Sequence, residues 1–189
     1  EGHIRIRKIS DRFNEGLGFV CHTPNLGVGA YCVKYISALA SPGPRAGILP
    51  PTDAEKQLGQ DLMSTGPFWT KVLDPVFDLA KIYTLNRLPP DEQRRVFDRF
   101  GPESGKALFE LFIWMFDQTG ATVVDTASVR CPVLCLSGVD DRIVSIESAR
   151  ETAAAYPQAA FWELEDHAHM LLLEPGADAI ARRIADWLG

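Results

Sequence analysis

Apolar and polar residues follow two different patterns along the chain. From Gly47 to about Thr126 apolar side chains recur at loosely helical spacing, whereas after Arg130 short apolar runs alternate with helical stripes. The final stripe is the clearest. Ile180, Ile184 and Leu188 recur every four residues with Ala177 and Ala181 beside them, which predicts a helix from Pro175 to Leu188 with one face against a sheet. Before it the pattern predicts a short buried strand at Pro132 to Ser137, a helix at Ser145 to Tyr156 and a strand at Ala160 to Glu165. This strand, helix, strand, helix order implies parallel pairing with a right-handed crossover. Both strands then end along one edge, where ligands bind in sheets of this kind.

The middle of the chain is predicted to be a layer of about four helices. Thr52-Asp53-Ala54-Glu55 reads as a capping box opening one of them, and Leu88-Pro89-Pro90-Asp91 opens another. Phe68, Val72, Phe77, Leu79 and Ile82 predict a helix over Phe68 to Leu85 that Pro75 kinks or divides. Leu108, Leu111, Phe112, Met115 and Phe116 crowd one side of a helix predicted over 103–117, with Trp114 extending its apolar surface. Such a layer is either packed core or a lid whose inner face meets an apolar substrate. In residues 1–44 Gly, Asn and Pro interrupt every period, and only Tyr31 to Ala40 reads as a short strand or helix.

At 189 residues, with 46% hydrophobic, 23% charged and 10% aromatic, the chain is expected to bury a globular core; disordered, collagenous and disulfide-scaffold classes are excluded. Nineteen Lys and Arg against 25 Asp and Glu leave a net charge of -6, which argues against nucleic acid as a partner. The strongest apolar run, Ala107 to Phe116, contains Glu110 and is far short of the roughly 20 residues of a membrane span. The chain begins at Glu1 and its earliest methionine is Met63, so it is expected to be a trimmed, processed or partial one. None of Cys21, Cys32, Cys131 and Cys135 has C-x-x-C spacing, so neither a disulfide framework nor a metal site (at Cys21, His22 and Cys32, for example) is expected. Cys131 and Cys135 bracket Pro132-Val133-Leu134 and are expected on one strand face as buried, inert thiols. Reduced cysteines of this kind fit a cytoplasmic protein.

Two loops leave the predicted sheet edge. One carries Gly138-Val139-Asp140-Asp141-Arg142 and the other Asp166-His167-Ala168-His169. A histidine works as a general base near neutral pH when its tautomer and orientation are fixed, and a carboxylate accepting the ring N–H does both. Adjacent strand ends supply that geometry for an acid and a histidine, against the alternative of a solvated acidic loop and polar turn histidines.

These residues resemble the C-terminal part of the α/β-hydrolase-fold family. The family pattern is strand, Gly-x-x-Asp, helix, strand, then Gly-His with an acidic residue five positions later, and Cys131 to Val144 followed by Glu163 to Pro175 matches it. The resemblance implies that Asp141, rather than Asp140, is the triad acid. It also implies that His169, with Glu174 five positions on, is the catalytic histidine rather than His167; Ala168 replaces the usual Gly. It covers about residues 44–189 and implies a partial hydrolase-like parallel sheet flanked by helices. Residues 45–127 would be a helical cap, 128–189 the C-terminal βαβα part of the core, and 1–44 an irregular remnant of it. Enzymes of the family hydrolyse esters, thioesters, lactones, epoxides or carbon–halogen bonds without metal or organic cofactor, which here implies a small lipophilic ester-like substrate.

The family's nucleophile elbow needs small residues two positions either side of the nucleophile, as in Gly-x-Ser-x-Gly, because the turn is so tight. Ser41 and Ser64 have the following Gly but Leu before them, and Cys32 has Ala30 before it but Lys34 after it; Gly2-His3-Ile4-Arg5-Ile6 has no nucleophilic atom at its centre. Only the acid and base of a Ser-His-Asp triad are therefore visible. The rival expectation is a noncatalytic binding or interaction module, a truncated hydrolase whose exposed strand edge favours self-association. A third is a thiol-dependent hydrolase using Cys21 or Cys32.

Overall fold

A computed structural model describes residues 20–21, 36–39, 52–113, 116, 118, 125–129 and 131–188. Its main sheet runs in the order β1 (Val20–Cys21), β2 (Ile36–Leu39), β5 (Val133–Gly138), β6 (Ala159–Leu164). β1 is antiparallel to β2, and the other pairings are parallel, with Ile36 opposite Val133 and Val133 opposite Ala159. The segment expected to be irregular thus supplies two short strands, and the strand alternative for Tyr31 to Ala40 holds over Ile36–Leu39.

All six residues of β5 are buried because helices cover both faces of the sheet. Leu134 and Leu136 pack with Leu164, Leu171 and Ile180 on the side of α6 (Ala177–Leu188). Val133 and Cys135 pack with Ala153 on the side of α5 (Ile146–Ala154). The predicted βαβα order is present, with boundaries agreeing to within two residues. β5 starts at Val133, so Cys131 precedes the strand and the two thiols do not share a strand face. Burial pushes the Cys135 thiol up to about 11. At pH 8 its thiolate fraction is then on the order of one in a thousand. Iodoacetamide under native conditions is expected to leave Cys135 unmodified, as peptide mass mapping would show.

Among the described residues, four α-helices lie between β2 and β5: α1 (Asp53–Ser64), α2 (Phe77–Tyr83), α3 (Pro90–Phe97) and α4 (Gly105–Phe112). The capping box forms as read, with Thr52 N–H donating to Glu55 Oε2 at 2.7 Å and Glu55 N–H to Thr52 Oγ1 at 3.2 Å. Pro90 opens α3, where its missing N–H costs nothing. The helix expected over Phe68 to Leu85 is corrected: only Phe77–Tyr83 is α-helical. Pro75 cannot donate into a helix, and Val72–Leu73 (β3) pairs instead with Glu103–Ser104 (β4). That pairing also shortens the helix expected over 103–117, which begins after Ser104 caps Ala107 N–H and reaches only Phe112. Gly105 is required there, because a Cβ would lie 1.9 Å from Phe68 O. Trp114 and Met115 lie outside the described residues.

Ala80, Leu85, Leu88 and Val96 form a second apolar cluster with Phe77, Phe97 and Phe100, and Met170 from the loop after β6 packs into it. α1 buries no residue; Tyr83 O–H donates to Asp61 Oδ2 at 3.0 Å, and Glu55 Oε1 accepts Ser145 N–H at 3.1 Å from the N-cap of α5. No helix among the described residues is long and apolar enough to cross a membrane.

Candidate active site

The two predicted loops meet at the carboxyl ends of β5 and β6. Val139 N–H donates to Leu164 O at 3.1 Å, and Asp140 N–H to His167 O at 2.9 Å. This crossing passes directly over Gly138, where a Cβ would stand 2.3 Å from His167 O and 2.6 Å from Ala168 N. Glycine at 138 therefore allows the histidine loop to lie against the acid loop.

Asp141 follows in a turn closed by its own N–H to Gly138 O at 3.2 Å. Its side chain is fully buried and both oxygens are used. Oδ1 accepts Ile143 N–H at 2.8 Å and Val144 N–H at 3.1 Å, while Oδ2 lies 3.0 Å from His169 Nδ1. An ionised carboxylate only accepts, so the proton of the neutral imidazole sits on Nδ1 and Nε2 presents a lone pair. The ring keeps 18% of its side-chain surface exposed. The arrangement can hold an oriented base and stabilise the imidazolium formed when Nε2 takes a proton.

Of the two acids and two histidines, the structure brings Asp141 to His169 and sends the others elsewhere. Asp140 faces Arg87, with Oδ2 2.7 Å from Nε, and His167 Nδ1 lies 3.3 Å from Glu174 Oε2. Glu174, fully buried in its side chain, also accepts Ala168 N–H at 2.7 Å and Met170 N–H at 2.9 Å. It thus holds the backbone on both sides of His169. Spacing alone marks Glu174 only as the acidic residue five positions after His169. Glu174→Ala is expected to orphan these amides, each costing about 1–3 kcal/mol if it stays buried. A lowered urea midpoint with an unchanged slope is the result to look for.

Ser64 is exposed at the end of α1, where its hydroxyl donates to Asp61 O at 2.7 Å. Ser41, His22, Cys32 and the Gly2 to Ile6 stretch lie outside the described residues, and Cys21 lies in β1. Among the described residues no hydroxyl or thiol is hydrogen-bonded to His169, and no cluster of His, Cys, Asp and Glu is arranged to hold a metal ion. An open, mainly polar cavity of about 550 Å³ lies beside Asp141, lined by Thr52, Asn86, Arg87, Asp140, Arg142 and Glu147 among others. His169 does not line it, so the cavity does not locate a reacting substrate.

No family model and no curated protein matches this sequence. Solved structures do. A 2-hydroxy-6-oxo-6-phenylhexa-2,4-dienoate hydrolase from Rhodococcus sp. strain RHA1 is similar with a TM-score of 0.51 at 19% identity, over 79% of this chain and 53% of that one. A monoacylglycerol lipase from Paleococcus ferrophilus gives a TM-score of 0.52 at 21% identity, over 82% of this chain and 58% of that one. A hydrolase from Oleispira antarctica gives 0.50 at 16% identity, over 82% and 56%. The chain therefore spans a little over half the length of these structures, and what it shares with them is the fold.

Proposed function

We propose that this chain, which has part of the α/β-hydrolase fold, carries the acid and base of an ester-hydrolysing triad, with His169 as general base and Asp141 as the residue that orients it. One observation carries the reading: Asp141 is held by two backbone amides through Oδ1 and turns Oδ2 to His169 Nδ1 at 3.0 Å. In the proposed reaction a hydroxyl nucleophile attacks the acyl carbon while His169 Nε2 takes its proton. The imidazolium, steadied by Asp141, then protonates the departing alkoxide. Water, deprotonated in turn by Nε2, attacks the acyl carbon; the acyl–nucleophile bond breaks, the imidazolium returns its proton to the nucleophile oxygen, and the acid leaves. Each step moves a proton to or from the histidine and needs no metal or organic cofactor.

In the same reading residues 45–127 form a cap that admits a small lipophilic ester, residues 128–189 are the C-terminal part of the core, and residues 1–44 are its remnant. The exposed Trp69, Val72 and Ile82 on the helical layer fit an apolar substrate or partner. A cytoplasmic setting fits the unpaired Cys131 and Cys135.

The test is p-nitrophenol release from a short-chain ester by this chain and by its His169→Ala variant. The reading expects the variant to lose about 10⁴-fold or more. Equal rates would defeat it and favour a noncatalytic binding module. A fluorophosphonate probe followed by peptide mapping identifies the nucleophile, or a thiol alkylated with loss of activity points to the cysteine alternative.

A further inference from the structure

Arg87 lies between α2 and α3 on the helical layer, yet it touches both loops of the candidate site. Its Nη2 donates to Asp166 Oδ1 at 2.7 Å. Its Nε stands 2.7 Å from Asp140 Oδ2 without its N–H being aimed at an acceptor, so this second arm is an ion pair rather than a directed hydrogen bond. Asp140 immediately precedes Asp141. Asp166 opens the loop leading to His169 and sits at φ 58°, a left-handed conformation that Asp and Asn tolerate better than most residues. Two neighbours strengthen the same connection: Asn86 Nδ2 donates to Asp140 O at 2.9 Å, and Met170, next to His169, packs into the apolar cluster of the helical layer.

We infer that Arg87 is a positioning residue that couples the seating of the helical layer to the alignment of Asp141 against His169. The inference rests on the proposed roles of those two residues but concerns how they are held, not what they turn over. A planar guanidinium spreads its charge over three nitrogens and can set one against each of two carboxylates, here a directed hydrogen bond to Asp166 and an ion pair with Asp140, whereas an ammonium is a single point charge. The Arg87 guanidinium is held above its ordinary value, first by the hydrogen bond it donates to Asp166, and stays charged at any working pH. Because Asp140 and Asp166 are exposed, each arm is weak and salt-sensitive. Displacing the helical layer would therefore loosen both loops together while leaving the sheet beneath them in place.

Amide hydrogen exchange on the whole chain tests this, comparing the unmodified protein with Asp166→Asn, Arg87→Lys and Arg87→Ala. Asparagine keeps the left-handed backbone and removes the charge, so Asp166→Asn serves even if Arg87→Ala folds poorly. The expected result is exchange roughly threefold to fivefold faster at 139–143 and 166–170 in Asp166→Asn, in line with the loss of one exposed ion pair. Arg87→Lys should show a smaller effect and Arg87→Ala a larger one, with the amides of β5 unchanged. The His169 Nδ1 proton signal should broaden in the same order, and about 1 M salt should reproduce the change in the unmodified protein. Unchanged exchange in both loops, acceleration in only one, or a uniform increase through β5 would overturn the inference. If ester hydrolysis proves absent while the two loops still loosen together, the coupling stands and only the reaction assigned to the pair falls.

Discussion

Asp141→Asn is expected to lower His169-dependent ester turnover about 10⁴-fold, the scale seen when the orienting acid of such a triad becomes its amide. The cause lies in the atoms facing Asp141. Oδ1 is committed to Ile143 and Val144 N–H, so the asparagine oxygen stays there and its NH₂ turns to the imidazole. A donor facing Nδ1 forces the proton to Nε2, where the ring can no longer accept one from a nucleophile. Because Asn preserves size and the two amide bonds, folding should change little, and KM should change far less than kcat. A variant with unimpaired kcat would show that the Asp141 contact is structural only.

Gly138→Ala should have the largest effect on the structure of the site. The added Cβ would lie 2.3 Å from His167 O, 2.4 Å from His167 C and 2.6 Å from Ala168 N. Comfortable contacts are about 3.5 Å, so the histidine loop would have to retreat by roughly 1 Å. These are backbone atoms already bonded to the acid loop, and they cannot swing aside as a long side chain would. Overpacking typically costs about 1–3 kcal/mol, and a clash with backbone belongs at or above the upper end. The expected result is a lower urea midpoint together with loss of the His169 to Asp141 hydrogen bond. Gly59 is the control. It lies inside α1 with nothing within 4 Å of its built Cβ, so Gly59→Ala should stabilise by about 0.5–1 kcal/mol through helix propensity.

What could be read in advance was set by short-range physics. β5 reads as a continuous apolar run because both its faces are covered, α6 as a stripe because only one of its faces is, and α1 from a cap that closes within four residues. The acid and histidine could be placed at neighbouring strand ends by the same grammar. The choice of Asp141 over Asp140 came from the family pattern, and the structure adds a burial difference, one carboxylate enclosed and the other facing Arg87. The misread stretch depends on distant partners. Residues 68–76 carry helix-compatible spacing, but Val72 and Leu73 find Ser104 and Glu103, and Gly105 lets Phe68 O approach. Arg87 and Asn86 look like ordinary surface residues until the fold brings them to Asp140 and Asp166. Glu174 reads as a charged loop residue because the amides it satisfies become buried only when the loop closes around it.

The central claim is that Asp141 fixes the tautomer of His169, and nitrogen-15 NMR of the histidine side chains tests it without requiring turnover. The neutral ring of His169 should show a protonated Nδ1 and an unprotonated Nε2, with the Nδ1 proton slow to exchange and shifted downfield by the carboxylate. The opposite tautomer, or the averaged mixture of a free imidazole, would contradict the account.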